Sequence, residues 1–274
     1  DWGDTWLGPT PIHLPADWVE VFTGPPASIQ LPASGRLVLP CFSRTKKDEH
    51  YSSYTMTSDD HGKTWNLSSA IPNGNECQAA ALPWLNDTAV LLSMRNPTGP
   101  TRNAALSVDG GRTWGDSWPT VGPETQCEGS TISLPHHPAG PTLAMSTAFD
   151  PTSRSNLTVH VSRDSGRTWQ PVLQVCAGPS AYSSLVNLQE PPVWRAGMQA
   201  PAWSVAGRAA GAGAGAGAAT QEERDAFKAA HFAASPLSEA AAPAAGTKVG
   251  LLFERWDTSQ PSYHSISYTE LVVP

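Results

Sequence analysis

Tyrosine, glutamate and arginine are residue types that can do chemistry together, and Tyr182, Glu76, Glu254, Arg95 and Arg154 are among those this chain carries. A phenol titrates near pH ~10 and is a weak nucleophile until a base takes its proton. A carboxylate can be that base. An arginine is permanently charged and donates two parallel hydrogen bonds to a carboxylate. Each residue also has a plain reading. Tyr182 could be a packed ring, and Glu76, after the turn residues Asn73-Gly74-Asn75, a solvated turn glutamate. Arg102 competes with Arg95, Arg154 could be an ordinary loop arginine, and Gln30 and Phe42 could serve packing. Metal chemistry is disfavoured. Cys41, Cys77, Cys127 and Cys176 form no C-x-x-C pair and read as buried free thiols. His136-His137 lies in a proline-flanked loop with no further ligand at metal spacing and reads as surface.

The elements that position such residues announce themselves as repeats. The pattern S-x-D-x-G-x-T-W occurs at Ser58–Trp65, Ser107–Trp114 and Ser162–Trp169, and the chain opens on the tail of a fourth copy, Asp1–Trp6. The aspartates at 1, 60, 109 and 164 are 59, 49 and 55 residues apart, which suits one four-stranded blade per repeat. An Asp opening a turn accepts backbone N–H groups, and the Gly supplies a positive φ. The Thr returns the chain to a strand and the Trp buries a large ring. Strands are expected in Gly35–Pro40, Ala89–Met94, Asn156–Val161 and Lys248–Phe253.

Composition agrees. The 274 residues include 26 Pro, 23 Gly and 11 Trp, which favours short strands and tight turns over long helices. A net charge of −7 argues against a nucleic-acid face. No apolar run is long enough for a transmembrane helix. Asp1-Trp2-Gly3-Asp4 lacks the pattern of a signal peptide, while sequons at Asn66, Asn86 and Asn156 permit a secretory or lysosomal route. From 190 to 246 the chain turns Ala-, Gly- and Pro-rich; it is expected to be a flexible insertion, with a short helix near 221–234 after the capping pattern Thr220-Gln221-Glu222-Glu223. The domain is then 1–189 with 247–274.

The repeats resemble the Asp boxes of the sialidase superfamily. The resemblance extends to Thr23-Gly24-Pro25, Ile29-Gln30-Leu31 and Gly35-Arg36-Leu37-Val38, to Asn75-Glu76-Cys77-Gln78, to Ala181-Tyr182-Ser183-Ser184-Leu185 and to Gly250-Leu251-Leu252-Phe253-Glu254. It implies an all-β fold, a six-bladed β-propeller of which about four blades are present. It implies a retaining glycoside hydrolase that releases terminal α-linked sialic acid, needs no cofactor or metal and acts as a monomer. Tyr182 would be the nucleophile and Glu76 its base. Arg95 and Arg154 would be two of three arginines that clamp the substrate carboxylate. Glu254 would orient the first arginine, and Gln30 is a further substrate-binding candidate.

The family's F/Y-R-I-P motif, with the first arginine, and the acid aspartate after it have no match in these residues. Arg36 belongs to the G-R-L-V strand and Asp60, Asp109 and Asp164 to the boxes, so none replaces them. The resemblance therefore leads to the expectation that about two blades are missing and that this chain alone is inactive or nearly so. Two other readings stay open: a non-catalytic propeller that binds carbohydrate or protein, and a hydrolase of another 2-keto sugar acid.

Overall fold

The computed structural model describes residues 8–9, 11–25, 27–47, 50–189, 246–256 and 265–274. The opening box at 1–6, residues 190–245 of the Ala/Gly-rich stretch and the helix expected at 221–234 lie outside the described residues. Those that are described form strands, turns and bends, with no helix among them and none, therefore, long and apolar enough to cross a membrane.

The strands fall into successive sheets. The first contains β1 (Trp18–Thr23), β2 (Ile29–Gln30), β3 (Leu37–Thr45), β4 (Ser52–Ser58), β5 (Asn66–Leu67) and β6 (Ile71–Pro72). Its main order is β1-β3-β4-β5, with β2 beside β3 and β6 beside β4. The second holds β7 (Cys77–Ala81), β8 (Val90–Met94), β9 (Asn103–Ser107) and β10 (Trp118–Pro119) in simple antiparallel succession. The third joins β11 (Ser130–Leu134), β12 (Thr142–Ala148), β13 (Ser155–Ser162) and β14 (Gln170–Asn187), and continues through β15 (Thr247–Arg255) to β16 (Ser265–Val273). β14 serves two blades. Its residues from 170 to 179 pair with β13, and those from 180 to 187 pair with β15.

Period-2 alternation explains how the sheets stack. Val90, Leu92 and Met94 pack toward Leu31 and Val38 of the first sheet, whereas Leu91 packs with Leu143 of the third. β8 is thus buried on both faces, which is why Val90-Leu91-Leu92 reads as an unbroken apolar run. Leu157, Val159, Leu185, Leu251 and Phe253 close the core between β13 and β15.

The boxes hold the far hairpins. Asp60 Oδ1 accepts the Thr64 N–H at 2.8 Å, Oδ2 accepts the Thr64 hydroxyl at 2.6 Å, and the Ser58 hydroxyl accepts the Gly62 N–H at 2.8 Å. Asp109 and Asp164 repeat the pattern with Thr113 and Thr168. The cysteines are free, three of them buried. One expectation needs correction: His137 is buried rather than on the surface, because its Nε2 meets the Val273 carbonyl at 3.0 Å and ties the loop to β16.

Candidate active site

The 19-residue spacing of Glu76 and Arg95 has a direct structural cause. β7 and β8 form a hairpin in which Cys77 faces Met94. The ladder runs one step further: the Arg95 N–H donates to the Glu76 carbonyl at 2.9 Å, and the Asn75 N–H to the Arg95 carbonyl at 3.1 Å. The two side chains emerge side by side, with Arg95 Nη1 3.0 Å from Glu76 Oε2. Across the mouth, the start of the β14–β15 ladder presents Tyr182. Its hydroxyl donates to Glu76 Oε1 at 2.6 Å. Arg154 sits next to Ser180, whose N–H reaches the Arg154 carbonyl at 2.9 Å, and its guanidinium lies 5.6 Å from the Tyr182 ring centre. Glu254 Oε2 accepts the Tyr182 N–H at 3.3 Å.

Five of the six candidates therefore converge. Gln30 does not: it is exposed, and its amide donates to the Gly35 carbonyl at 3.0 Å, bracing the turn before β3. Arg102, the competitor of Arg95, is fully buried and faces Glu124 at 3.5 Å.

Burial is the main force on the Tyr182 phenol, followed by the hydrogen bond to Glu76 and its negative charge; together they hold it far above its usual range. Arg95 and Arg154 pull the other way. The resting side chain is a neutral phenol already bonded to a proton acceptor. Arg95 Nε is buried with no partner among the described residues, an unused donor beside that pair.

Two recesses are lined by residues of this cluster. One, of about 510 Å³, is lined by Arg95, Arg154, Glu124 and Gln126, and it suits an anionic or hydroxyl-rich ligand. The other, of about 200 Å³, is lined by Pro25, Leu252, Phe253 and Ile266 with Tyr182, Glu254 and Glu128. Among the described residues no aspartate lines either recess. Among the described residues no group of His, Cys, Asp and Glu gathers as metal ligands.

The family model for the BNR repeat-like domain matches residues 1–194. A sialidase of Micromonospora viridifaciens is 32% identical over 206 residues, covering 69% of this chain and 31% of the relative. The chain belongs to the BNR-repeat family of the sialidase superfamily. Sialidase-2 of Cricetulus griseus is 29% identical over 209 residues, covering 70% of this BNR-repeat chain and 54% of that protein. The chain thus spans about a third to a half of the length of these two relatives. Among solved structures, Hadza microbial sialidase Hz136 superposes with a TM-score of 0.57 at 28% identity, covering 63% of this chain and 34% of that one. NanB sialidase from Streptococcus pneumoniae superposes with a TM-score of 0.59 at 17% identity over 92% of this chain and 31% of its own, a likeness of fold. The blades are those of a sialidase-type β-propeller.

The BNR-repeat site also contains groups that motif reading passed over. Glu128 is 2% exposed, and burial pushes its carboxyl up to about 7. Glu124 is likewise buried and raised, for the same reason. Their sequence signal was faint: Cys127-Glu128 precedes β11 much as Glu76-Cys77 opens β7.

Proposed function

We propose that this chain carries the nucleophile half of a retaining, sialidase-type active site acting on terminal α-linked sialic acid. The observation that carries this reading is the 2.6 Å bond from the Tyr182 hydroxyl to Glu76, flanked by Arg95 and Arg154.

The chemistry follows from the substrate. Its carboxylate is attached to the carbon under attack, so an anionic nucleophile would be repelled there, while a neutral phenol is not. Sialidases stand apart from two-carboxylate glycosidases by this tyrosine nucleophile. Tyr182 Oη bonds to the anomeric carbon as its proton passes to Glu76, and the bond to the leaving oxygen breaks. Water then attacks the anomeric carbon and gives up its proton to solvent, the bond to Tyr182 Oη breaks as Glu76 returns its proton to that oxygen, and the second inversion restores the original configuration. Arg95 and Arg154 grip the substrate carboxylate. Glu254 steadies the nucleophile through the Tyr182 N–H.

The leaving oxygen needs a proton, and among the described residues lining the two recesses no aspartate offers one. General acid catalysis is worth about 10²–10⁴-fold, so the chain alone is expected to turn over little or no sialoside. Incubation with a fluorogenic α-sialoside tests this. No release, or a trace, is expected; brisk release would show that another group supplies the proton.

A further inference from the structure

Glu128 is a buried carboxyl in the recess that Tyr182 itself lines, and the proposed reaction has no use for it. Its Oε2 accepts the Ser183 N–H at 2.9 Å, one residue beyond the nucleophile. The next amide on the same edge of β14, that of Leu185, is held by the Ser130 hydroxyl at 2.9 Å. The device has a neutral counterpart one blade earlier, where Gln78 Oε1 accepts the Thr131 N–H at 2.7 Å. An amide suffices for that bond, so the backbone contact alone does not call for an acid. The other oxygen, Oε1, is buried with no hydrogen-bond partner among the described residues, and Glu128 lines the recess beside Tyr182.

We propose that Glu128 is a positioning residue for Tyr182 whose ionisation turns anionic ligands away from the site. The groups facing it make the case. Arg102, just before β9, is the cation that acts on it, but that arginine also serves Glu124 and the Cys127 carbonyl. Glu76 and Glu254 both disfavour a further negative charge, Tyr182 and Cys127 are neutral, and Arg154 is already drawn to the Tyr182 ring. Protonated, Glu128 behaves like Gln78 and leaves Arg95 and Arg154 to the ligand. Ionised, it adds a third carboxylate to those of Glu76 and Glu254, and the two arginines must balance all three before any ligand anion. Burial places that change at about 7. The ligand half of this inference rests on the sialic acid reading; the positioning half does not.

The test compares the wild-type chain with Glu128→Gln and Glu128→Ala. Calorimetric binding of 2,3-didehydro-2-deoxysialic acid is measured across pH ~5.5–8.5, and thermal melting without ligand over the same range. Wild type should bind at least about tenfold more weakly at the alkaline end than at the acid end, whereas Glu128→Gln should hold its affinity. Glu128→Ala should bind weakly throughout. An alkaline loss in Glu128→Gln equal to that of wild type would overturn the charge gate. Failure of every form to bind would overturn the sialic acid reading and the gate with it. Melting then decides the positioning half: it stands if Glu128→Ala melts below the other two, and falls if Glu128→Ala melts with wild type.

Discussion

The Tyr182 hydroxyl and Glu76 Oε1 meet at 2.6 Å although 106 residues separate them. The pair forms because two unrelated hairpin ends, β7–β8 and β14–β15, open onto the same space. The bond defines the resting state. Glu76 accepts from a neutral phenol and at the same time holds the phenol's titration high. Glu76→Gln should therefore lower the Tyr182 titration toward the ordinary tyrosine range, though not reach it, because burial remains the larger cause. Phenolate absorbance, read against Tyr182→Phe to isolate this one tyrosine, measures the shift. In an active form of the site, the same Glu76→Gln change should slow turnover by about 10²–10⁴-fold.

Arg102 and Glu124 form a buried ion pair, exposed by 0% and 1%, which Thr147 completes by donating its hydroxyl to Glu124 Oε2. Breaking such a pair from one side strands a charge and typically costs about 3–5 kcal/mol. Arg102→Met should show that loss in denaturant unfolding. Arg102→Met with Glu124→Met should be less damaging than Arg102→Met alone, since no charge is then left behind.

His160 is buried edge-on against Phe149, and burial holds its imidazole down to about 4, from 6.5. Between those values the unfolded chain binds a proton that the native protein refuses. His160 thus contributes stability above the upper value, and that contribution is lost as pH falls through the window. His160→Leu should flatten the acid limb of the melting temperature. Glu128 acts with the opposite sign. Its native carboxyl keeps the proton up to about 7, so its contribution is full below the usual 4.5 and is lost as pH rises to 7. Reading each variant against wild type separates the two.

Gly62 and Gly166 occupy the same position of two Asp boxes, with φ of 83° and 87°. A Cβ on Gly62 would meet nothing nearer than 3.6 Å, while one on Gly166 would come within 2.9 Å of Leu91 Cδ2. Gly62→Ala should cost about 1 kcal/mol of backbone strain, and Gly166→Ala clearly more, since Leu91 is part of the packed β8 core. Chemical unfolding of the two variants side by side measures the difference.

Much of the scaffold was legible because its signals are local. Each Asp box names its own turn, and Val90–Met94 and Ser155–Ser162 appear where the apolar runs lie. Glu76 and Arg95 were legible as a pair because a hairpin converts their spacing into adjacency. Other features depend on what packs from elsewhere. Arg102 competes with Arg95 in the sequence until the buried ion pair with Glu124 sets it apart. Glu128 becomes unusual only when β14 passes beside it, and His137 only when β16 returns. Gln30, a substrate-binding candidate in the sequence, has its amide engaged within its own turn.

The central claim is that Tyr182 is a nucleophile, and covalent trapping tests it most directly. A sialosyl fluoride with a second fluorine at C3 carries a leaving group that needs little protonation, so the nucleophile half can react without an acid partner. The fluorine at C3 then slows release of the adduct. Intact mass and peptide mapping should find a single adduct on Tyr182, absent from Tyr182→Phe. An adduct on any other residue, or none after prolonged incubation, would contradict the account.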